Sequence, residues 1–246
     1  MATIPGEGQI KSKQRVADHG EVLTGEREVK AMLDLVEQET ARIESRFLEP
    51  ACGTGNFLIE ILRRKLAVVE ARYRSSQLEW ERNAVFAVSS LYGIDILEDN
   101  VEACRARLLG EFRGQYEARF GKRMRPECIE TVRFLLRRNI VWGDALTLRT
   151  VGADPGPIVF SEWSPVNGSL FKRRDFAYHE LVNQEHGDDA QRFGTRQPSL
   201  FEEDQSSLFD EPSGPTLSDT GESVFIPEPV REYPLVHFLE LGRRDD

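Results

Sequence analysis

The sequence predicts an α/β fold with a doubly wound parallel sheet, and three observations predict it. Short apolar runs from Phe47 and at Tyr92–Ile96, Asn139–Trp142 and Pro157–Ser161 alternate with long stretches of helical periodicity, the pattern of strands that need helical crossovers. Gly53 and Gly55 stand between the first of these strands and the apolar run Leu58-Ile-Glu-Ile-Leu62, where they permit positive φ and a close backbone approach. Finally, 246 residues with 39% hydrophobic content suffice for one substantial domain with an additional segment.

The elements follow in order. Residues 1–18 are polar and without periodicity, so a loose arm is expected. From Glu26 to Ile43, Val29, Met32, Leu33, Val36 and Ile43 recur at helical spacing, with Thr24 available as a cap. After the glycine turn, Asn56 to about Arg74 reads as a long helix and Leu78–Ser90 as another, leading to the strand at Tyr92. Asp99 then caps a helix through Phe120, and Pro126–Arg138 is helical with its proline in the first turn. The main domain is expected over 19–182. Residues 183–229 are rich in Gln, Glu, Asp, Ser, Gly and Pro, too polar to offset chain entropy by burial, so an acidic disordered linker is expected there. Residues 230–246 turn apolar again at Tyr233–Leu241, predicting a strand or docked segment that returns to the domain.

Charge and composition exclude several classes. A net charge of −10 argues against a chain that binds nucleic acid by itself, although the excess acid is concentrated between Arg196 and Arg231, where Lys and Arg are absent. Basic clusters at Arg63-Arg64-Lys65, Gly121-Lys-Arg-Met-Arg125, Arg137-Arg138 and Lys172-Arg173-Arg174 either face phosphates or are solvated helix faces. No apolar run is long enough to span a bilayer and the first residues lack a secretion signal, so a cytoplasmic protein is expected. Cys52, Cys104 and Cys128 lack the paired spacing of a zinc site and read as reduced thiols, with no metal expected.

The glycine turn points to a nucleotide-type cofactor. A nicotinamide fingerprint requires a third glycine and an acid roughly 20 residues on, whereas Asn56-Phe57 follows Gly55 and the plausible acid, Asp95, lies far beyond that spacing. No Gly-Lys-Ser or Gly-Lys-Thr follows the turn, so a phosphate-binding P-loop is excluded.

Phe47-Leu-Glu-Pro-Ala-Cys-Gly-Thr-Gly-Asn-Phe-Leu58 resembles the first motif of the adenine-specific DNA methyltransferases. Leu91-Tyr-Gly-Ile-Asp-Ile96 is similar to that family's second motif, and Asn139-Ile-Val-Trp-Gly-Asp-Ala-Leu146 to its third. His19-Gly-Glu-Val-Leu-Thr24 resembles the segment preceding the first motif in methylase subunits of restriction-modification systems. The resemblance covers about residues 18–150 and implies a truncated Rossmann-like S-adenosylmethionine-dependent sheet. Its implied cofactor-binding set is Thr24, Glu49, Pro50, Ala51, Gly53, Gly55, Asn56, Phe57, Asp95, Ile96, Asp144 and Ala145. In that set the Gly53 and Gly55 backbone and Glu49 approach the methionine moiety, Glu49 near its ammonium, while Thr24 offers a hydroxyl to its carboxylate. Asp95 accepts from the ribose hydroxyls, Ile96 lies on the adenine face and Asp144 accepts from the adenine amino group.

The family's fourth motif, Asn-Pro-Pro followed by an aromatic residue, is missing. In its place stands Phe160-Ser-Glu-Trp-Ser-Pro-Val-Asn-Gly168. Ser164, Pro165 and Asn167 are the candidate catalytic residues as remnants of that motif, with Trp163 or Phe171 as a stacking group; the other reading is a structural strand and turn. The activity implied is methylation of adenine in DNA within a restriction-modification or mobile-element system, with a partner for target recognition. The rival is a cofactor-binding sensor or scaffold subunit without transfer activity. Within the acidic segment, Gln197-Pro-Ser-Leu-Phe201 and Gln205-Ser-Ser-Leu-Phe209 resemble the peptides that bacterial replication proteins insert into the sliding clamp; the alternative is amphipathic residues in a low-complexity linker.

Overall fold

The computed structural model describes residues 24–183 and 227–243, together with Arg15 and the strand pairs 216–217 and 223–224. The expected arm therefore lies outside the described residues except for Arg15, which donates to both carboxylate oxygens of Asp99. The expected linker, including both Gln-x-Ser-Leu-Phe copies, also lies largely outside them.

The architecture is mixed α/β with parallel and antiparallel strands. Helices α1 (Glu26–Asp34) and α2 (Glu37–Thr40) precede strand β1 (Phe47–Glu49). Helices α3 (Asn56–Tyr73) and α4 (Gln77–Ser89) connect β1 to β2 (Leu91–Asp95), and α5 (Glu98–Phe120) and α6 (Pro126–Asn139) connect β2 to β3 (Ile140–Asp144). The strands β1, β2 and β3 lie side by side and parallel, with Leu48 opposite Tyr92 and Ile94 opposite Val141. A two-residue strand β4 (Arg149–Thr150) doubles back antiparallel on β3.

Alternation along β2 sorts its residues between two faces. Leu91 joins the large core with Leu58, Leu62 and Leu66 of α3, Val85 and Val88 of α4, Leu108 of α5 and Leu135 of α6. Gly93 faces the same side, where a Cβ would stand 3.1 Å from both Cys52 Sγ and Leu58 Cδ1. Tyr92 and Ile94 point to the opposite face and pack with Ile158 and Phe160.

On that second face the fold departs from expectation. The strand read at Pro157–Ser161 is longer, β5 (Val159–Pro165), and forms a hairpin with β6 (Leu170–Ala177), with Val159 opposite Ala177 and Pro165 opposite Phe171. Two further short strands, β9 (Arg231–Glu232) and β10 (Val236–His237), pair with β6; between β6 and β9 in the chain order lie α7 (Tyr178–Asn183), β7 (Thr216–Leu217) and β8 (Ser223–Val224). The three parallel strands thus wind in one direction only. Among the described residues no strand is added on the far side of β1, so the second half of a doubly wound sheet is not formed; the hairpin covers the face that its helices would have covered.

Several boundaries also shift for local reasons. The single helix expected over Glu26–Ile43 breaks at Leu35 and Val36, where Val36 leaves helical geometry at φ −122° and ψ 33°; both are exposed along with Met32, while Val29, Leu33 and Ile43 are buried. Thr24 does not cap α1; Gly25 occupies that position without a side-chain bond. Asp99 lies inside the first turn of α5, whose N-cap is Leu97. Ser76 caps α4 by accepting from Glu79 N–H at 3.4 Å.

The segment after β10 runs as a 3₁₀ helix, Phe238–Arg243, and buries Phe238 and Leu241 against α6. Thr131 Oγ1 of α6 donates to Phe238 O at 2.7 Å. Arg173 anchors the same region from β6, donating to Asp175 and lying 4.0 Å from the Tyr233 ring centroid. Two members of the basic clusters, Lys65 and Arg173, are therefore interior groups rather than phosphate ligands, and Arg64 pairs with Asp34 and Glu60.

Lys65 is fully buried and donates to Ile43 O at 3.1 Å, to Ser45 O and to Ser90 Oγ at 2.5 Å. Three acceptors hold the ammonium while burial opposes its charge, and the balance brings its pKa down to about 7. The unfolded chain therefore binds one more proton than the native one between about pH 7 and the ordinary lysine value, and this group makes stability rise with pH across that window. From pH 7 to 8.5 its contribution is about 1–2 kcal/mol. The buried thiols Cys52 and Cys128, whose pKa values are raised, act in the opposite sense at higher pH. Urea titrations of the protein and of Lys65→Met at both pH values isolate the lysine; equal slopes with pH for the two proteins would contradict this assignment.

Candidate functional site

A cleft of about 540 Å³ opens at the C-terminal ends of β1, β2 and β3. It is lined by Thr24, Glu49, Pro50, Ala51, Gly53, Asn56, Phe57, Asp95, Ile96, Asp144 and Ala145, so eleven of the twelve residues expected to hold a cofactor converge on one space. Ligands of open α/β sheets bind at this end because successive strands deliver their following loops there.

The loop after β1 is tied down through three of its amides. Cys52 N–H donates to Ile94 O at 2.9 Å and Gly55 N–H to Cys52 O at 2.8 Å. Gly53 adopts φ +51° and gives its N–H to Asp95 Oδ2 at 2.8 Å. The two glycine amides are thus both bonded within the protein, and Gly53 borders the cleft with its N–H already paired. In the first turn of α3 the amides of Asn56, Phe57 and Leu58 precede the first helical bond, from Ile59 N–H to Gly55 O, and of these residues Asn56 and Phe57 line the cleft.

Gly55 is the one member of the expected set that does not line the cleft. Its φ of +88° starts α3, and a Cβ there would stand 2.6 Å from Cys104 Sγ of α5. Its glycine is required by helix packing rather than by ligand approach.

Asp95 serves as the hub of the site. Besides Gly53 N–H, its carboxylate accepts from Leu97 N–H at 2.9 Å and Asn100 Nδ2 at 3.2 Å, and the residue is 8% exposed. It fastens the β1 loop to the start of α5, and lone-pair capacity remains for a donor in the cleft. Asp144 is more open. Its Oδ1 accepts from Leu146 N–H at 2.9 Å, which holds its pKa below the usual carboxylate range.

Glu49, at the end of β1, is half-buried, and burial raises its carboxyl pKa against the opposing bond from Ala51 N–H. Among the described residues no Lys or Arg lies within ion-pair distance of it. Thr24 is held over the cleft through its carbonyl, which accepts from Asn56 Nδ2 at 2.8 Å. Arg107 of α5 in turn donates to Asn56 Oδ1 and Thr54 O, at 2.9 and 2.6 Å.

The structure does not bring the candidate catalytic residues to this cleft. β5 runs opposite to β2: Ile158 packs near Gly143 at the cleft end, Ser161 O accepts from Tyr92 Oη mid-strand, and Ser164 and Pro165 end beside Glu44 and Ser90. Those neighbours precede β1 and β2, so Ser164 and Pro165 lie at the opposite end of the sheet. Asn167 falls in the β5–β6 turn, whose Gly168 O accepts from Arg82 of α4. Trp163 is buried, donating from Nε1 to Asn139 Oδ1 at 3.2 Å, and Phe171 is likewise a core residue. The antiparallel hairpin is the cause, since it reverses the direction that a parallel fourth strand would have had.

Sequence reasoning passed over Asn100, Leu97 and Leu146, which also line the cleft. For Asn100 a signal existed, because a residue in the first turn of a helix after a strand-end acid can reach back to that acid. Comparison with protein-family models, curated proteins and solved structures finds no match for the chain. Among the described residues no helix is long and apolar enough to cross a membrane.

Proposed function

We propose that this chain binds S-adenosylmethionine on a Rossmann-like half-sheet and acts in adenine methylation of DNA, within a restriction-modification or mobile-element system, together with a partner that supplies target recognition and acceptor-side groups. The observation that carries the reading is Glu49. A half-buried carboxylate without a cationic neighbour among the described residues, in a cleft that also holds Asp95 and Asp144, suits a ligand with an ammonium at one end and hydroxyl and amino donors at the other. The cleft volume is within the roughly 300–1,000 Å³ of small-ligand sites.

In this reading the roles divide along the cleft. Glu49 attracts the ammonium, the Asn56 and Phe57 amides favour the adjoining carboxylate, Asp95 offers its remaining acceptor capacity to the ribose, and Ile96 and Asp144 meet the adenine. The cofactor supplies an electrophilic methyl group, and the chain's own contribution is orientation. A second reading, a cofactor-binding subunit without transfer activity, is favoured by the position of Ser164, Pro165 and Asn167 at the far end of the sheet. Mapping modified adenines in a host without adenine methylation, with and without the neighbouring genes, separates the two.

Calorimetry tests the binding itself. Because Glu49 must be ionised to attract a cation and its pKa is raised by burial, affinity falls as pH drops through that raised value. Glu49→Gln weakens binding about tenfold at neutral pH, the worth of about 1.4 kcal/mol, and flattens the acid limb. No heat with S-adenosylmethionine or S-adenosylhomocysteine on folded protein sinks the proposal.

A further inference from the structure

We infer that Arg107 of α5 is a positioning residue of the cleft: it fixes the corner that receives a carboxylate and so gives the cleft its preference for a zwitterionic amino-acid end over a plain amine. Its ligand is that of the cofactor reading, on which this role rests.

Three acceptors meet one nitrogen of this side chain. Arg107 Nη1 donates to Thr54 O at 2.6 Å, to Thr54 Oγ1 at 2.9 Å and to Asn56 Oδ1 at 2.9 Å. A guanidinium carries donors and no acceptor, so the Asn56 amide turns its oxygen toward Arg107. Its Nδ2 then faces the other way, where it donates to Thr24 O at 2.8 Å. A relay of side-chain orientation thus runs from α5 through the start of α3 to the residue that leads into α1. Thr54, Asn56 and Thr24 line the cleft and Arg107 stands behind them, so its influence on a ligand passes through these three residues.

The relay is seated on a rigid base. Cys104 precedes Arg107 by three residues and therefore shares its face of α5; a Cβ on Gly55 would stand 2.6 Å from Cys104 Sγ. α5 is packed directly onto the loop that Arg107 grips. At the other end, α1 is fastened to α3 by Arg64, which donates to Lys30 O at 3.4 Å and pairs with Asp34 at 2.7 Å. Those contacts hold the body of α1, and the Asn56 bond holds its approach over the cleft.

The corner so fixed has a definite polarity. A guanidinium bonded to Thr54 and Asn56 lies behind the first turn of α3, and the positive end of a helix favours an anion in the same place. Glu49, Asp95 and Asp144 put the acids of the cleft at the strand ends. Charge of one sign at the strand ends and of the other at the α3 corner suits a zwitterion, its ammonium toward Glu49 and its carboxylate toward Thr24 and Asn56. Arg107 is exposed, so solvent screens its charge and the expected effect is modest.

The test is calorimetry on the full chain with S-adenosylmethionine and with decarboxylated S-adenosylmethionine, which keeps the ammonium and lacks the carboxylate. Arg107→Met is expected to weaken S-adenosylmethionine about fivefold and to leave the decarboxylated ligand within about twofold. Arg107→Lys, which retains a charged donor, is expected to recover part of the loss. Asn56→Ala cuts the relay, so adding Arg107→Met to it is expected to cost less than about twofold more. Equal losses for the two ligands make Arg107 a general support of the fold and overturn the inference. Unchanged affinity in Arg107→Met, or its full loss repeated on top of Asn56→Ala, does the same. Should Arg107→Met fail to fold, Arg107→Lys and Asn56→Ala carry the same comparison of ligands. A wild-type chain that binds both ligands equally overturns the inference and leaves the cofactor reading standing, whereas no heat with either ligand defeats both.

Discussion

Asp95→Asn is expected to weaken S-adenosylmethionine binding about thirtyfold and to destabilise the protein by about 2 kcal/mol. The carboxylate accepts from Gly53 N–H on one oxygen and from Leu97 N–H and Asn100 Nδ2 on the other. An amide cannot replace it, because either orientation of the Asn side chain points an N–H₂ at an existing donor. One end of the clamp opens, and the β1 loop parts from α5. Asp144→Asn provides the contrast, since that side chain bonds within its own turn, to Leu146 and Thr147; it is expected to leave urea stability within about 0.5 kcal/mol, as for other surface changes, while weakening the ligand. Calorimetry with urea titration of both variants checks this. Equal effects on stability would remove Asp95 from the hub position.

Gly55→Ala is expected to lower stability by about 3 kcal/mol. Adopting φ +88° costs an L-residue roughly 1–2 kcal/mol, and a Cβ 2.6 Å from Cys104 Sγ forces overpacking worth about 1–3 kcal/mol. For a chain of this size the melting temperature falls by roughly 6–12 °C. Cys104→Ala removes the colliding sulfur but not the backbone strain. The double variant should therefore be more stable than the sum of the single effects by about 1–2 kcal/mol. Strict additivity would show that the two residues do not meet.

Much of the cleft was legible because its parts are local in sequence. A strand, a glycine turn and a helix occupy the continuous stretch Phe47–Tyr73, and the acids Asp95 and Asp144 close strands that periodicity alone identifies. Eleven expected residues meet in one space because parallel strands bring their C-terminal ends to the same edge. The exception, Gly55, was read in the right conformation for a different reason: φ is local, whereas the neighbour that excludes a Cβ comes from α5.

The hairpin was not legible. Nothing in Val159–Pro165 by itself states whether the strand will run parallel beside β1 or antiparallel beside β6, since both placements bury Phe160 and Trp163. Lys65 and Arg173 looked like parts of surface clusters, and their burial depends on carbonyls, a hydroxyl and an aspartate contributed from elsewhere.

What the chain determines residue by residue is the position of its strands and helices and the chemistry at the strand ends, because hydrophobic period, glycine and strand-terminal acids act over a few positions. Tertiary structure alone decided that β5 turns back onto β6 and that Ser164 and Pro165 finish at the far end of the sheet. Strand pairing joins residues distant along the chain, and its direction is chosen by which faces can be buried together rather than by any single segment.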